Sequence, residues 1–317
     1  MTANTRPRVG VIGTGAIGGF YGAMLARAGF DVHFLLRSEY AAVRDNGLLI
    51  NSLVHGALHV PQVQAYQNVA DMPACELILV GAKTTSNHEL APLINQLAAP
   101  NAKVLLLQNG YGAEEALRPV LNQSLHLLGG LCFICIHRAA PGVIEHQAQG
   151  MVNVGYHSGP SDAAGQLAIS AEIAGYFTEA GVGSNAIADL EHGRWHKLVW
   201  NMPFNGLSAL LDASTHTLIG QADTHALLKD LMQEVILGAK ACGHEMPAQI
   251  VDLMLAGTLK IPDYLPSMYH DFKYQRAMEL DSMYVQPLAA AKARGQALPK
   301  LEMLYQSLQF LQARNGA

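Results

Sequence analysis

The stretch Arg8-Val9-Gly10-Val11-Ile12-Gly13-Thr14-Gly15-Ala16-Ile17-Gly18 decides the fold. Its first half, Arg8 to Ile12, reads as a short apolar strand. Its second half is a glycine-rich turn that opens a helix over Ile17 to Ala28, with small residues on one side. Each glycine has a physical reason. Gly13 permits the tight turn, Gly15 lets backbone approach a pyrophosphate, and Gly18 lets the helix pack on the strand. The free N–H groups at the helix start then face the phosphates, which assigns Gly13, Thr14, Gly15, Ala16, Ile17 and Gly18 to a dinucleotide site. A G-x-G-x-x-G run alone is a weak signal; the strand before it, the helix after it and a second strand at Asp31 to Leu36 supply the context it needs. The run Val9 to Ala28 behind Arg6 and Arg8 also mimics a signal peptide, but its glycines favour the nucleotide reading.

Working outward, short β-rich runs alternate with helical stretches. Glu76 to Val80 and Lys103 to Leu107 are strands, with a helix from about Asn87 to Leu97 between them. Such alternation argues a parallel sheet covered on both faces. Leu48 to Ile50 and Ala57 to Val60 read as an inserted hairpin. Leu125 to Tyr156 stays β-rich around the turn signal Pro141-Gly142, and Gly165 to Ala180 is a helix. Near Asp189 the pattern changes to long helical periodicity, broken at Gly220, Gly243, Gly257 and the Pro262/Pro266 pair. The expectation is an α/β Rossmann-like dinucleotide-binding domain over 1–187 and an all-α domain over 188–317.

Composition limits the partners. Of 317 residues, 50% are hydrophobic and only 14% charged, against about 25% charged in an average protein. The net charge of -5 and the absence of any like-charge block argue against nucleic acid, which needs clustered Lys and Arg. The longest apolar run, near Leu125 to Ile136, is far short of the ~20 residues of a bilayer helix. Cys132 and Cys135 lie three apart on a strand, so they point to opposite faces and cannot share an ion. Unpaired thiols suit a reducing cytoplasm.

The end of the second strand selects the cofactor. An NAD enzyme places Asp or Glu there to bond the ribose 2′-hydroxyl. This chain reads Leu35-Leu36-Arg37-Ser38. Arg37 can pair with a 2′-phosphate, which favours NADP. Glu39, two residues on, is the feature that argues for NAD.

The most informative run in the second half is Gly193-Arg-Trp-His-Lys-Leu-Val-Trp-Asn-Met-Pro-Phe-Asn-Gly206. Lys197, Asn201 and Asn205 are four apart, so a helix puts them on one face at steps of about 6 Å. Set among Trp200, Met202 and Phe204, they form a polar stripe cut into an apolar surface; a solvent-facing stripe is the plainer alternative. Trp195 and Trp200 read as packing residues. His192 and His196 have helical spacing for a metal, but no third ligand is spaced beside them and Lys197 adjoins them, so no metal is assigned.

With that stripe the chain resembles the ketopantoate reductase (2-dehydropantoate 2-reductase) family over almost its whole length. The resemblance rests on Gly13 to Gly18, Lys83 after the strand ending at Val80, Gln108-Asn109-Gly110-x-Gly112, the Lys197/Asn201/Asn205 stripe, Pro266-Ser267-Met268-x-x-Asp271 and Glu279-Leu-Asp281. It implies NADPH-dependent reduction of ketopantoate to D-pantoate, a step toward coenzyme A. It also implies a helical C-terminal domain like that of 6-phosphogluconate dehydrogenase. Residue by residue, it implies that Lys197 is the proton donor and Glu279 an acid at substrate and nicotinamide. Asn201, Asn205 and Ser267 become substrate contacts, and Lys83 and Asn109 bridge cofactor and substrate.

Elementary chemistry agrees with these roles. Hydride arriving at a ketone carbon leaves negative charge on oxygen, which an ammonium can stabilise and protonate. A free lysine titrates at about 10.4, so it starts protonated. Ser267 and the helix start after Pro266 could hold the substrate carboxylate. On one unbroken helix Ser267 and Glu279 would stand about 18 Å apart, so a break is required near Tyr274 to Arg276. The chain departs from the family at Gln275, where Gly often precedes Arg, and at Gly206, where Pro is frequent. It departs again at Thr215, where a substrate-binding Asn is expected, and at Pro203, which should kink the stripe helix. The alternatives are a reductase of another 2-oxo acid and a non-catalytic NADP-sensing module. The helical domain's apolar faces could mediate a homodimer or pack internally.

Overall fold

The computed structural model of the chain describes residues 6–315. In chain order the first half contains β1 (Val9–Ile12), α1 (Ala16–Arg27), β2 (Val32–Leu35), α2 (Tyr40–Asn46), β3 (Leu48–Ser52), β4 (Gly56–Val60), β5 (Gln64–Tyr66), β6 (Cys75–Val80), α3 (Asn87–Leu97), β7 (Ala98–Leu106), α4 (Ala113–Leu117), β8 (His126–Ala140), β9 (Val143–Ser158), α5 (Ala163–Glu179) and β10 (Ser184–Ile187). The strands build one sheet in the order β4-β3-β9-β8-β7-β6-β1-β2-β5, with β10 on β9. Its core, from β5 through β2, β1, β6 and β7 to β8, is parallel throughout. Numbered within that core, the order is the 3-2-1-4-5-6 of a doubly wound nucleotide-binding sheet.

The parallel core is the one expected from the alternating pattern. Buried on both faces, β1 and β6 are apolar along almost their whole length, as such strands must be. The sheet as a whole is mixed, because β9 returns antiparallel to β8 and carries the antiparallel β3–β4 hairpin on its far edge. The hairpin therefore extends the sheet. α1 lies close on β1 and β2: a Cβ at Gly22 would fall 2.6 Å from the Phe34 ring and 2.9 Å from Val11. That closeness is why this helix face carries small residues. Cys132 and Cys135 are buried on β8, and neither forms a disulfide. Burial pushes the Cys135 thiol up to about 12, so it stays protonated and inert at neutral pH.

The second half is helical: α6 (Leu190–Leu211), α7 (Thr215–Gly220), α8 (Ala222–Ala241), α9 (Ile250–Thr258), α10 (Ser267–Lys273), a π-helical turn at Asp281–Val285, α11 (Gln286–Lys292) and α12 (Pro299–Asn315). Its core is built around the fully buried Trp195, with Met202, Phe204, Met232, Met268 and Tyr284; Trp200 packs against it partly buried. No helix among the described residues is long and apolar enough to cross a membrane. Packing divides the chain into two compact units. The first runs to Gln108 and again over Ala113–Leu190; the second comprises Asn109–Gly112 and the chain from Glu191 onward. A single cut at 187/188 does not capture the four-residue excursion at Asn109–Gly112.

Candidate active site

In the first unit, the Gly13–Gly18 turn joins β1 to α1 at the β1/β6 boundary, where the sheet order reverses. Ligands of such sheets bind at that switch point, beyond the carboxyl ends of the strands. Gly13 has φ +84°, and a Cβ there would fall 2.2 Å from the backbone N of Ala82. A Cβ at Gly18 would likewise fall 2.4 Å from the Gly13 carbonyl oxygen. Gly15 differs: its Cβ would meet nothing within 4 Å, and its backbone is extended. It caps α1 without a side-chain hydrogen bond, and the first turn holds no acid. An uncapped helix start with open space at its glycine fits a pyrophosphate. The Thr14 hydroxyl donates to the Leu35 carbonyl at 3.1 Å, tying the turn to the tip of β2.

Arg37 and Glu39 separate in the fold although they are neighbours in sequence. Arg37 is an exposed side chain at the end of β2, bonded to Glu89 at 2.6 Å. Glu39 is buried. It accepts from Arg138 and from the Gly142 N–H, the latter at 3.1 Å, so its carboxylate braces the β8–β9 turn. The acid that argued for NAD is engaged elsewhere. Lys83 follows β6 and precedes a short 3-10 turn at Thr84–Ser86. Gln108 holds that loop, donating to the Ala82 carbonyl at 2.9 Å and to Asn87 Oδ1 at 2.7 Å.

In the second unit, Lys197, Asn201 and Asn205 lie on α6 as a buried stripe, exposed by 9%, 6% and 3%. The solvent-facing alternative is therefore excluded. The Lys197 Nζ donates to Asn109 Oδ1 at 2.7 Å. Asn205 Nδ2 donates to the Asn201 carbonyl at 3.0 Å. Its Oδ1 accepts from the Ser267 hydroxyl at 3.3 Å and from the Met268 N–H at 3.2 Å. Asn205 thus caps α10 and orients Ser267, and the Met268 N–H expected to face an anion is bonded to Asn205.

The break required between Ser267 and Glu279 is present. α10 ends at Lys273; Gln275 N–H bonds to the Phe272 carbonyl at 3.2 Å and Arg276 N–H to the Asp271 carbonyl at 2.8 Å. This is a Schellman ending with Gln275 in the left-handed position at φ +52°, the position glycine prefers. A side chain there costs roughly 1–2 kcal/mol; the Arg276–Asp271 side-chain bond at 3.1 Å supports the same turn. The buried Glu279 follows, immediately before the π-helical turn.

The other departures have local causes. α6 continues through Pro203, so the proline does not end it. Gly206 makes room for Tyr284, whose hydroxyl bonds to the Met202 carbonyl at 2.6 Å; a Cβ at Gly206 would fall 2.3 Å from that hydroxyl. Thr215 is fully buried, and its N–H donates to the Tyr264 carbonyl at 3.0 Å, so it links two segments of the helical unit. His196 is pushed below the usual imidazole range by burial and then by His192. Among the described residues no group of His, Cys, Asp and Glu is arranged to hold a metal ion.

Two residues outside the sequence reading join the site: Tyr111 donates its hydroxyl to Glu191, at the start of α6. The signal available in the sequence was the pair of glycines flanking Tyr111, which marks a sharply turned segment beside Asn109.

Family models match both halves of the chain. The family model of ketopantoate reductase PanE/ApbA matches residues 9–159, and that of its C-terminal part matches residues 189–312. A 2-dehydropantoate 2-reductase of Nostoc sp. is 41% identical over 305 residues, covering 96% of this chain and 95% of its own. The crystal structure of 2-dehydropantoate 2-reductase from Geobacter metallireducens superposes with a TM-score of 0.89 at 37% identity, covering 95% of this chain and 99% of that one. The corresponding structure from Methylococcus capsulatus gives 0.84 at 30% identity, with 98% of each chain covered.

Proposed function

The chain belongs to the ketopantoate reductase family, and from that premise we propose how it reduces 2-dehydropantoate to D-pantoate with NADPH. The observation that carries the proposal is the buried Lys197 ammonium, fixed on Asn109 in the same unit as the Asn205–Ser267 pair. In the first unit, backbone N–H groups at Ala16 to Gly18 would hold the pyrophosphate, with the Gly15 N–H spent on the Gly13 carbonyl at 2.8 Å, and Arg37 would hold the 2′-phosphate. Lys83, Asn109 and Glu279 would serve the nicotinamide end; when bound, the cofactor would supply a hydride. Lys197 donates its hydrogen bond to the ketone oxygen, stabilises the charge that develops there and gives up a proton to it. Asn201 and the Ser267 hydroxyl hold the substrate, with Asn205 keeping Ser267 in place.

The test is NADPH oxidation across a panel of 2-oxo acids. Ketopantoate should give the highest kcat/KM. Preference for another 2-oxo acid would make the chain a related reductase. No turnover with any of them, with NADPH still bound, would make it a sensing module. Four cysteines held in no disulfide support placing the reaction in the reducing cytoplasm. We extend the proposal to self-association through the helical unit, where Leu253, Leu259 and Phe310 are exposed; the mass in solution decides it.

Arg37→Ala should weaken NADPH binding roughly tenfold or more, the value of a charge-assisted contact, and leave NADH binding nearly unchanged. Glu89→Gln should strengthen NADPH binding modestly, because the phosphate then meets no competing carboxylate at Arg37. Titration with both cofactors checks each; equal losses for NADPH and NADH in Arg37→Ala would remove the 2′-phosphate role.

A further inference from the structure

We infer that Tyr111 is a positioning residue: through its bond to Glu191 it holds Asn109 on the Lys197 ammonium. This rests on the reading of Lys197 as the acid.

Asn109 and Tyr111 belong to a four-residue segment that packs with the helical unit although the chain on both sides of it belongs to the first unit. Both residues are anchored on one helix. Asn109 Oδ1 accepts from Lys197 at 2.7 Å, and the Tyr111 hydroxyl donates to Glu191 in the first turn of α6. Glu191 and Lys197 are six residues apart, about 9 Å along the helix axis. Asn109 and Tyr111 are two residues apart across the left-handed Gly110, so one short turn is tied to the helix at both of its ends.

The backbone between these anchors is held as well. The Tyr111 N–H donates to the Ser282 carbonyl at 2.8 Å. Gly110, at φ +93°, passes so near Ser282 that a Cβ would lie 2.6 Å from that carbonyl oxygen. Gly112 is also left-handed, at φ +83°. The ring of Tyr111 packs on Trp195 with centroids 5.3 Å apart, and Trp195 is fully buried. Glu191 also lies 3.6 Å from His244 Nε2.

The ring contact with Trp195, also on α6, would survive loss of the hydroxyl; the hydrogen bond that fixes the ring's direction on Glu191 would not. An Asn109 side chain free to move no longer fixes the lysine amine in direction, and a misdirected acid lowers the chemical step more than it lowers binding.

The experiment compares Tyr111→Phe, Glu191→Ala, Glu191→Gln and the Tyr111→Phe/Glu191→Ala double variant, with Lys197→Ala alongside. Tyr111→Phe should lower kcat by roughly fivefold to tenfold, with the KM for NADPH and the Tm nearly unchanged. Glu191→Ala should match it, and the double variant should be no worse than either, because the residues act as one unit. Glu191→Gln keeps an acceptor oxygen and should recover most of the rate. Wild-type kcat in Tyr111→Phe, or losses that multiply in the double variant, would overturn the inference while an inactive Lys197→Ala leaves the acid assignment standing. Full turnover in Lys197→Ala would overturn that assignment and the positioning role with it.

Discussion

Lys197→Ala lowers turnover by about 10²–10⁴-fold, the usual share of a positioned general acid, and leaves NADPH binding nearly unchanged. The expectation follows from placement. The amine is buried and donates to the Asn109 side-chain oxygen, a neutral acceptor that orients the ammonium without taking its proton. The dinucleotide turn belongs to the other unit, so the substitution removes no group assigned to the cofactor. Lys197→Arg separates the two parts of the role: arginine keeps the charge but does not give up a proton near neutral pH. Its turnover should fall between wild type and alanine. Steady-state kinetics with a parallel NADPH titration checks both variants, and unchanged turnover in Lys197→Ala would dismiss the lysine as the acid.

The second large effect contrasts two glycines of one turn. Gly13→Ala forces a side chain into a left-handed position and against the Ala82 backbone. Together these cost about 3 kcal/mol or more, a large part of a typical stability of ~5–15 kcal/mol. The Tm should fall by roughly 5 °C or more. Gly15→Ala meets an allowed backbone conformation and empty space, so its Tm should barely move. Its methyl group instead occupies the space left for the pyrophosphate, and NADPH should bind roughly tenfold or more weakly. Thermal unfolding and cofactor titration on the two proteins should give opposite patterns. A Gly15→Ala protein that binds NADPH normally would show that the phosphates lie elsewhere.

What could be read in the sequence was local. β1, the glycine turn and α1 follow from residues next to one another, and α3 falls at Asn87–Leu97 as its periodicity predicts. The buried character of the Lys197 stripe follows from the apolar residues around it. What escaped depends on distant partners. β5 (Gln64–Tyr66) and β10 (Ser184–Ile187) lack the apolar run that marks the equally short β1, and they pair because β2 and β9 offer open edges. Glu39 stands two residues from Arg37 in the chain, where an acid favours NAD, yet its partner is Arg138 on β8. The Asn109–Gly112 segment announces a turn through its glycines, but nothing local says that it docks on α6. The break at Gln275 was demanded by the distance between Ser267 and Glu279, although no glycine marks it.

The most direct test of the Lys197 assignment is a crystal structure of the chain with NADP and a non-reacting 2-oxo acid analogue. The account predicts the analogue's keto oxygen about 2.6–3.2 Å from Lys197 Nζ, with the nicotinamide against the adjacent carbon. A keto oxygen bonded to another donor, with Lys197 still turned to Asn109 and away from the ligand, would contradict it.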